Sequence, residues 1–246
     1  MTPTQIERYA RHLILKEIGG PGQNKLLGTR LVIVGAGGLG GPAALYAAAA
    51  GFGHITIIDD DRVDLSNLQR QIQFTQTNIG HAKAESLEQS LRALNSDVKC
   101  HIRAKRLTGE NAKDLLSGHD IIMDGTDDFN ARFAVNAASH ELGIPLISGA
   151  LGRFDGQVGL FNSHKNAPCY QCFVPHIPPD FETCAQVGVI GALAGIIGSM
   201  MTLEAVKYIT GAGESLAGKL YLYNGLTSES RKISLPKDPA CPLCAH

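Results

Sequence analysis

Leu31-Val32-Ile33-Val34-Gly35-Ala36-Gly37-Gly38-Leu39-Gly40 opens the stretch that decides the fold, and the deciding reading runs from Val32 to Arg70. The four apolar residues read as a buried strand and the glycines at 35, 37, 38 and 40 as a tight turn. An alanine-rich run from about Gly41 to Ala50 reads as a helix, which Gly51 can close in the left-handed conformation. Ile55-Thr56-Ile57-Ile58 follows as a second strand and ends on Asp59. A phosphate rests on backbone N–H groups at a helix N-terminus only where no side chain intervenes, which is the use of the glycines. Asp59 stands about 20 residues beyond the last glycine, where an acid that holds ribose hydroxyls belongs. Together these features describe a βαβ nucleotide-binding unit, a pattern that NAD- and FAD-dependent oxidoreductases share with other nucleotide users.

The composition narrows the classes. At 246 residues and 44% hydrophobic content the chain has ample material for a core. A formal net charge of −1, the absence of tryptophan and the lack of basic residues interleaved with aromatics give no nucleic-acid partner. Thr2 to Lys16 mixes charged and apolar residues at helical spacing, unlike a secretory signal, so a cytoplasmic protein with reduced or metal-bound thiols is expected. Val187 to Leu203 is uncharged and mostly apolar, but it is marginal in length, rich in glycine and followed in phase by Glu204 and Lys207. We read it as a buried helix whose small residues allow close packing, with no membrane span.

In chain order, Thr4-Gln5-Ile6-Glu7 has capping-box spacing and predicts a helix from Thr4 through Arg8, Arg11 and Leu15 to Gly19-Gly20. Ala82 to Leu94 reads as an amphipathic helix with Leu87, Leu91 and Leu94 on one side, and Val98 to Ala104 as a third strand. Ile121-Ile122-Met123 forms a short strand ending at Asp124, a helix covers Phe129 to Leu142 and stops at Gly143, and Leu146-Ile147-Ser148 adds another strand. The alternation predicts an α/β fold: a Rossmann-like parallel sheet with its ligand beyond the strands' carboxyl ends. After Gly149 the pattern changes, and Gln157–Phe161, Lys219–Tyr223 and Arg231–Leu235 predict an antiparallel extension. The chain is thus read as one domain over 1–246, with a nucleotide-binding half (1–150) and a second half (151–246).

Two Cys-x-x-Cys pairs, Cys169/Cys172 and Cys241/Cys244, offer four soft ligands that suit one tetrahedral structural Zn²⁺ with no open position for catalysis. Disulfides or a redox pair are the alternatives. Cys184 precedes the long helix, where a helix N-terminus can lower a thiol pKa. Cys100, in a predicted strand, reads as core.

Downstream of Asp59 stands Asp60-Asp61-Arg62-Val63-Asp64-Leu65-Ser66-Asn67-Leu68-Gln69-Arg70-Gln71, a run no dehydrogenase requires. Here the chain resembles the ThiF/MoeB family of ubiquitin-activating-like adenylyltransferases. The resemblance continues through Gly80-His81-Ala82-Lys83, Asp124-Gly125-Thr126-Asp127, Cys169-Tyr170-Gln171-Cys172, Thr183-Cys184-Ala185 and Cys241-Pro242-Leu243-Cys244. It implies ATP-dependent adenylation of the C-terminal Gly-Gly carboxylate of a ubiquitin-like sulfur carrier, of the ThiS (thiamine thiazole) or MoaD (molybdopterin) type, with release of pyrophosphate. The second half would receive the carrier. The texture of Asp59-Asp60-Asp61 and of Arg106 to Glu110 leans toward the ThiS branch.

Joining two anions and expelling pyrophosphate requires cations and a metal. The resemblance implies that Arg11, Arg70 and Lys83 supply positive charge and that Asp127 holds Mg²⁺. ATP would contact Gly35, Gly37, Gly38, Gly40, Asp59 (ribose), Asp61, Ser66, Asn67, Leu68, Gln69 and Asp128. It further implies a homodimer in which Arg70 enters the neighbouring subunit's ATP site. Lys83 also reads as a solvated first-turn lysine and Asp127 as a helix N-cap. Asp128 departs from the family, which usually carries Asn there. Cys184 matches a cysteine that forms a covalent link to the carrier in some members and is dispensable in others. The chain ends just beyond the last cysteine pair, so no appended sulfurtransferase domain is expected, and a separate sulfur donor such as a cysteine desulfurase is implied. Two other classes compete: an NAD-dependent oxidoreductase, and a zinc-stabilised carrier-binding module without turnover.

Overall fold

Strand β1 (Arg30–Val34) runs parallel to β2 (His54–Ile58) on one side and to β4 (Ile121–Asp124) on the other, and all three end flush, with Val34 opposite Ile58 and Asp124. The computed structural model describes residues 1–177 and 188–245. β3 (Lys99–Arg103) flanks β2 and β5 (Leu146–Leu151) flanks β4, both parallel. β6 (Asp155–Phe161), β7 (Lys219–Asn224) and β8 (Glu229–Ser234) then continue the sheet antiparallel, in the order β3-β2-β1-β4-β5-β6-β7-β8. The parallel sheet with an antiparallel extension matches the sequence expectation.

Buried strands with apolar side chains on both faces need cover on both sides. On one face Leu31, Ile33, Ile55, Ile57, Ile147 and Val158 pack with α4 (Gly40–Ala50), α5 (Lys83–Leu94) and α9 (Gly191–Thr210). On the other, Val32, Val34, Ile58, Ile122 and Leu146 pack with α6 (Ala112–Leu116) and α7 (Phe129–Leu142). Gly51 and Gly143 close α4 and α7 in the left-handed region, as read from the sequence. The chain adds α8 (Tyr170–Phe173), whose Tyr170 ring meets Phe133, Phe161 and Phe173 edge-on.

The long apolar helix α9 is long and apolar enough to cross a membrane by length and composition, yet it lies along α4 and against β5 and β6. Its small residues permit that approach: a Cβ at Gly198 would come within 2.6 Å of Leu39 O, and Thr202 Oγ1 donates to Ala43 O at 2.8 Å. Glu204, buried in the same helix, pairs with Lys207 at 2.6 Å and accepts from Leu216 N.

The N-terminal reading needs correction. The cap is Thr2, not Thr4: Pro3 takes the first helical position, and Thr2 and Gln5 form the capping box of α1 (Pro3–Arg8). The helix breaks at the buried Tyr9, whose hydroxyl oxygen accepts a hydrogen bond from Asn95 Nδ2, and resumes as α2 (Ala10–Leu13). Gly19-Gly20, read as the end of the first helix, instead begins α3 (Gly19–Gly28), whose Leu26 and Gln23 are fully buried. Leu94 is 42% exposed, off the buried stripe formed by Leu87 and Leu91.

Candidate active site

The order of the parallel strands reverses between β1 and β4, which is where an open α/β sheet binds ligands beyond its strand ends. A crevice of about 600 Å³ lies there. Its floor is the glycine turn. Gly35 sits at φ +89°, where a side chain is strained, and packs on Gly125 of the neighbouring strand end. Gly40 needs its hydrogen for another reason: a Cβ would stand 1.8 Å from Gly35 O. At Gly37 a Cβ would meet only Gln71 Nε2 at 3.7 Å, so the fold tolerates a side chain there and the open crevice does not.

Asp59 anchors the turn as well as lining the crevice. Its Oδ2 accepts from Ala36 N at 2.7 Å and its Oδ1 from Asp61 N at 2.8 Å. Burial raises its carboxyl above the ordinary range, while those two amides and the Lys83 ammonium pull it back down. Each oxygen keeps a lone pair for a hydroxyl donor. Lys83 is buried, not a solvated first-turn lysine, and its Nζ meets Asp61 Oδ2 at 2.9 Å.

Asn67 spends its Oδ1 on Asp64 N, which leaves its Nδ2 donors for a ligand. Arg70 lies over Gly38 and donates from Nη1 to Ser66 O at 3.1 Å. It lines the crevice of its own chain.

Asp127 is exposed at the crevice rim, with no hydrogen bond or ion pair among the described residues. It is not the cap of α7. Asp128 is, its two oxygens accepting from Asn130 N and Ala131 N at 3.2 Å, so this departure from the family pattern does a helix-capping job that Asn also does. Behind the rim Asp124 and Arg132 are buried 3.8 Å apart. Asp124 Oδ1 accepts from the amide and hydroxyl of Thr126, and Arg132 donates to Ser148 Oγ, Gly149 O and Thr126 O. This network fixes the loop that presents Asp127.

Four expected contacts do not line the crevice. Gly40 shapes the turn, Ser66 offers its carbonyl to Arg70, Leu68 packs against the core, and Gln69 abuts Gly191 through its backbone oxygen. Arg11 is also absent. Its helix belongs to a segment tied to the carboxyl end of α4, through His12 Nδ1 with Gln23 Oε1 and Gln23 Nε2 with Ala50 O. The glycine turn is at the other end of that 11-residue helix, about 16 Å away. Cys184 lies outside the described residues. The sequence reading missed Gln71, Lys105, Leu107, Arg132 and Gln157, all on the crevice wall, and used Arg106 only as texture. Lys105 and Arg106 follow the carboxyl end of β3, a position that the strand-end rule could have flagged.

The four cysteines come together from opposite ends of the second half. All their sulfurs lie within 4.8 Å of one another, with Cys169 3.5 Å from Cys241 and Cys172 3.4 Å from Cys244. A disulfide would need about 2.05 Å. A tetrahedron with metal–sulfur bonds of about 2.3 Å has sulfur–sulfur edges of about 3.8 Å, so the cluster fits a tetrahedral divalent ion. The residues could hold such a metal.

Comparison with known proteins agrees with this architecture. The chain is 41% identical over 99% of its length to the Thermus thermophilus protein named sulfur carrier protein adenylyltransferase, covering 92% of that protein. It is 39% identical over 99% of its length to the SAMP-activating enzyme E1 of Haloferax volcanii, covering 90% of it. The crystal structure of E. coli MccB with ATP superposes with a TM-score of 0.85 at 22% identity, over 97% of this chain and 75% of that one, a likeness of fold. The family model described as the ThiF family matches residues 9–243, and on that extent the chain belongs to the ThiF family.

Proposed function

We propose that the protein adenylates the C-terminal Gly-Gly carboxylate of a ubiquitin-like sulfur carrier with ATP and releases pyrophosphate. The observation that carries this reading is the gathering of Asn67, Arg70, Lys83, Asp59 and Asp127 around one side-chain-free glycine turn, in a chain similar throughout to a sulfur carrier protein adenylyltransferase. An oxidoreductase has no use for so many cations beside the turn.

In this reading Asp59 takes the ribose hydroxyls and the amides of the turn take phosphate oxygens. A carrier carboxylate oxygen attacks the α-phosphorus, the bond from that phosphorus to the bridging oxygen breaks, and pyrophosphate leaves. Arg70, Lys83 and the Asn67 amide neutralise the charge that accumulates on the departing group. The free carboxylate of Asp127 would hold Mg²⁺, which would supply charge neutralisation beside the phosphates. The antiparallel half forms the carrier platform, and a second cleft lined by Gln157, Tyr223, Asn224 and Arg231 adjoins the first along β6 to β8.

The Cys₄ cluster holds a structural Zn²⁺, which closes the second half and takes no part in the transfer. The working unit is a homodimer, as suits the exposed apolar Ile14, Ile72 and Leu203. Arg11 then acts on phosphate only from a partner copy, since its own crevice is out of reach. A cytoplasmic setting keeps the cluster thiols from oxidation, and sulfur arrives from a separate donor.

Mass spectrometry of the carrier after incubation with ATP and Mg²⁺ tests the reading. A carrier of the ThiS or MoaD type should gain one adenylyl group at its C-terminus. A carrier unchanged in mass and a nucleotide recovered intact would instead favour a binding module.

A further inference from the structure

The nucleotide crevice and the second cleft, which holds about 370 Å³, share a wall. Ala150, Leu151, Gly152 and Gln157 line both, so the two cavities meet where β5 ends and β6 begins. Strand register decides what lies at that junction. Ala150 pairs with Gln157, Gln157 with Leu222, and Leu222 with Arg231. Directly paired residues project from one face, so these four form a row across the sheet from the crevice to the free edge at β8. With neighbouring strands about 4.8 Å apart, the row spans about 14 Å, the length of about four extended residues.

The row is open to solvent along its length: Ala150, Gln157 and Leu222 are half-buried and Arg231 is exposed. Its inner end is low. Only a methyl group projects from Ala150 and nothing from Gly152, where a Cβ would make ordinary contact with Asp155 O at 3.8 Å. Val158 and Leu160, on either side of Gly159, are packed into the core on the opposite face, which fixes the side on which Gln157 stands.

A peptide lying across strands cannot pair with the sheet's amides, so its own N–H and C=O groups need side-chain partners. Gln157 suits that task. Its amide carries an acceptor and a donor, as a peptide unit does, and neither is engaged among the described residues.

We propose that this row is the track along which the carrier's extended C-terminal tail reaches the nucleotide, and that Gln157 binds the tail's last peptide group at the junction of the two cavities. The inference rests on the adenylation reading and adds to it the residues that select the tail. The low passage over Ala150 and Gly152 favours an ending without side chains, and the carrier's folded body stays outside, beyond Arg231.

The test measures carrier affinity by calorimetry and the return of labelled pyrophosphate into ATP, with the full chain and two carriers, one intact and one lacking its last two glycines. Gln157→Leu removes both arms of the amide at similar volume, and Gln157→Glu sets a negative charge beside the incoming carboxylate. Loss of neutral hydrogen bonds should weaken binding of the intact carrier about 3–10-fold. The glutamate variant should lose more, and the truncated carrier should bind wild type and variants alike. Gly152→Leu, placed where the fold has room, plugs the passage and stands in should a Gln157 variant fail to fold; it too should weaken the intact carrier alone. Equal losses for both carriers, or no loss for the intact one, would overturn the proposal. Absence of label exchange by the wild type with any intact carrier would instead defeat the adenylation reading, and the proposal with it.

Discussion

Lys83 Nζ lies 2.9 Å from Asp61 Oδ2, and the two groups are unequally buried: the lysine side chain is 9% exposed and the aspartate side chain 66%. A cation at the first residue of α5 opposes the helix dipole, so this lysine is held where it disfavours the helix and faces the crevice. Its partner is the more solvated member and the easier one for a phosphate to displace. Lys83→Met should therefore lower the adenylation rate by about 10²–10³-fold, as loss of a preorganised donor to developing charge does, while the melting temperature moves by only a few degrees. Calorimetry beside single-turnover kinetics separates the two effects.

The glycines of the turn divide by what a methyl group would meet. Gly40→Ala drives a Cβ into Gly35 O and should destabilise the protein by about 3 kcal/mol or more, because backbone cannot move aside as a side chain does. Gly37→Ala meets only ordinary contact and should leave urea stability nearly unchanged, yet weaken ATP binding by standing where phosphate must approach. Equilibrium unfolding of both variants, set beside nucleotide titration, checks the division.

Arg132 forms a fully buried pair with Asp124 and clamps three backbone and hydroxyl oxygens. Arg132→Met strands Asp124 without its counter-charge and should cost about 3–5 kcal/mol. Asp124→Asn in the same background should recover part of that loss, since it removes the uncompensated charge. Denaturant midpoints of the single and double variants form the cycle that measures it.

His119 gives the pH dependence a definite sign. Its Nδ1 meets Leu116 O at 3.0 Å and its Nε2 meets Thr56 Oγ1 at 2.8 Å, so the neutral ring donates to the carbonyl and accepts from the hydroxyl. Burial, the largest influence, lowers its pKa from 6.5, and Arg30 adds to that, while the Leu116 carbonyl and Asp120 oppose it. The unfolded chain thus binds the proton first. Stability from this group is complete above pH 6.5 and is lost as the pH falls through the lowered folded value. Urea midpoints measured on either side of pH 6.5 should show the loss in the wild type and a flatter profile in His119→Gln.

Much of this was legible because it is local. The strand–glycine–helix–strand run and Asp59 follow from short-range periodicity, and Gly143 after Phe129–Leu142 marks a helix end that the structure reproduces to the residue. Less local features were not. Asp127 and Asp128 are adjacent acids, and only the backbone amides of Asn130 and Ala131 reveal which one caps α7. Arg11 stands at the far end of α4 from the crevice of its own chain, a placement set by Gln23 and Ala50 that no local pattern discloses. Arg132 looked like any helix arginine, and its burial depends on β4 and β5 arriving beside α7. The Gly19–Gly28 helix was hidden because Gly19-Gly20 reads as a helix end, whereas the proline that follows is well tolerated in a first helical turn and Leu26 supplies the packing that holds it.

Transfer between a carboxylate and the α-phosphorus is reversible, and ATP–pyrophosphate exchange reports that step most directly. The wild-type chain is assayed with Mg²⁺ and radiolabelled pyrophosphate, with a carrier ending in Gly-Gly and with the same carrier lacking its last glycine. Label should enter ATP only with the intact carrier, and a ThiS-type or MoaD-type preference would name the branch. Binding of ATP and of both carrier types without any exchange would contradict the account.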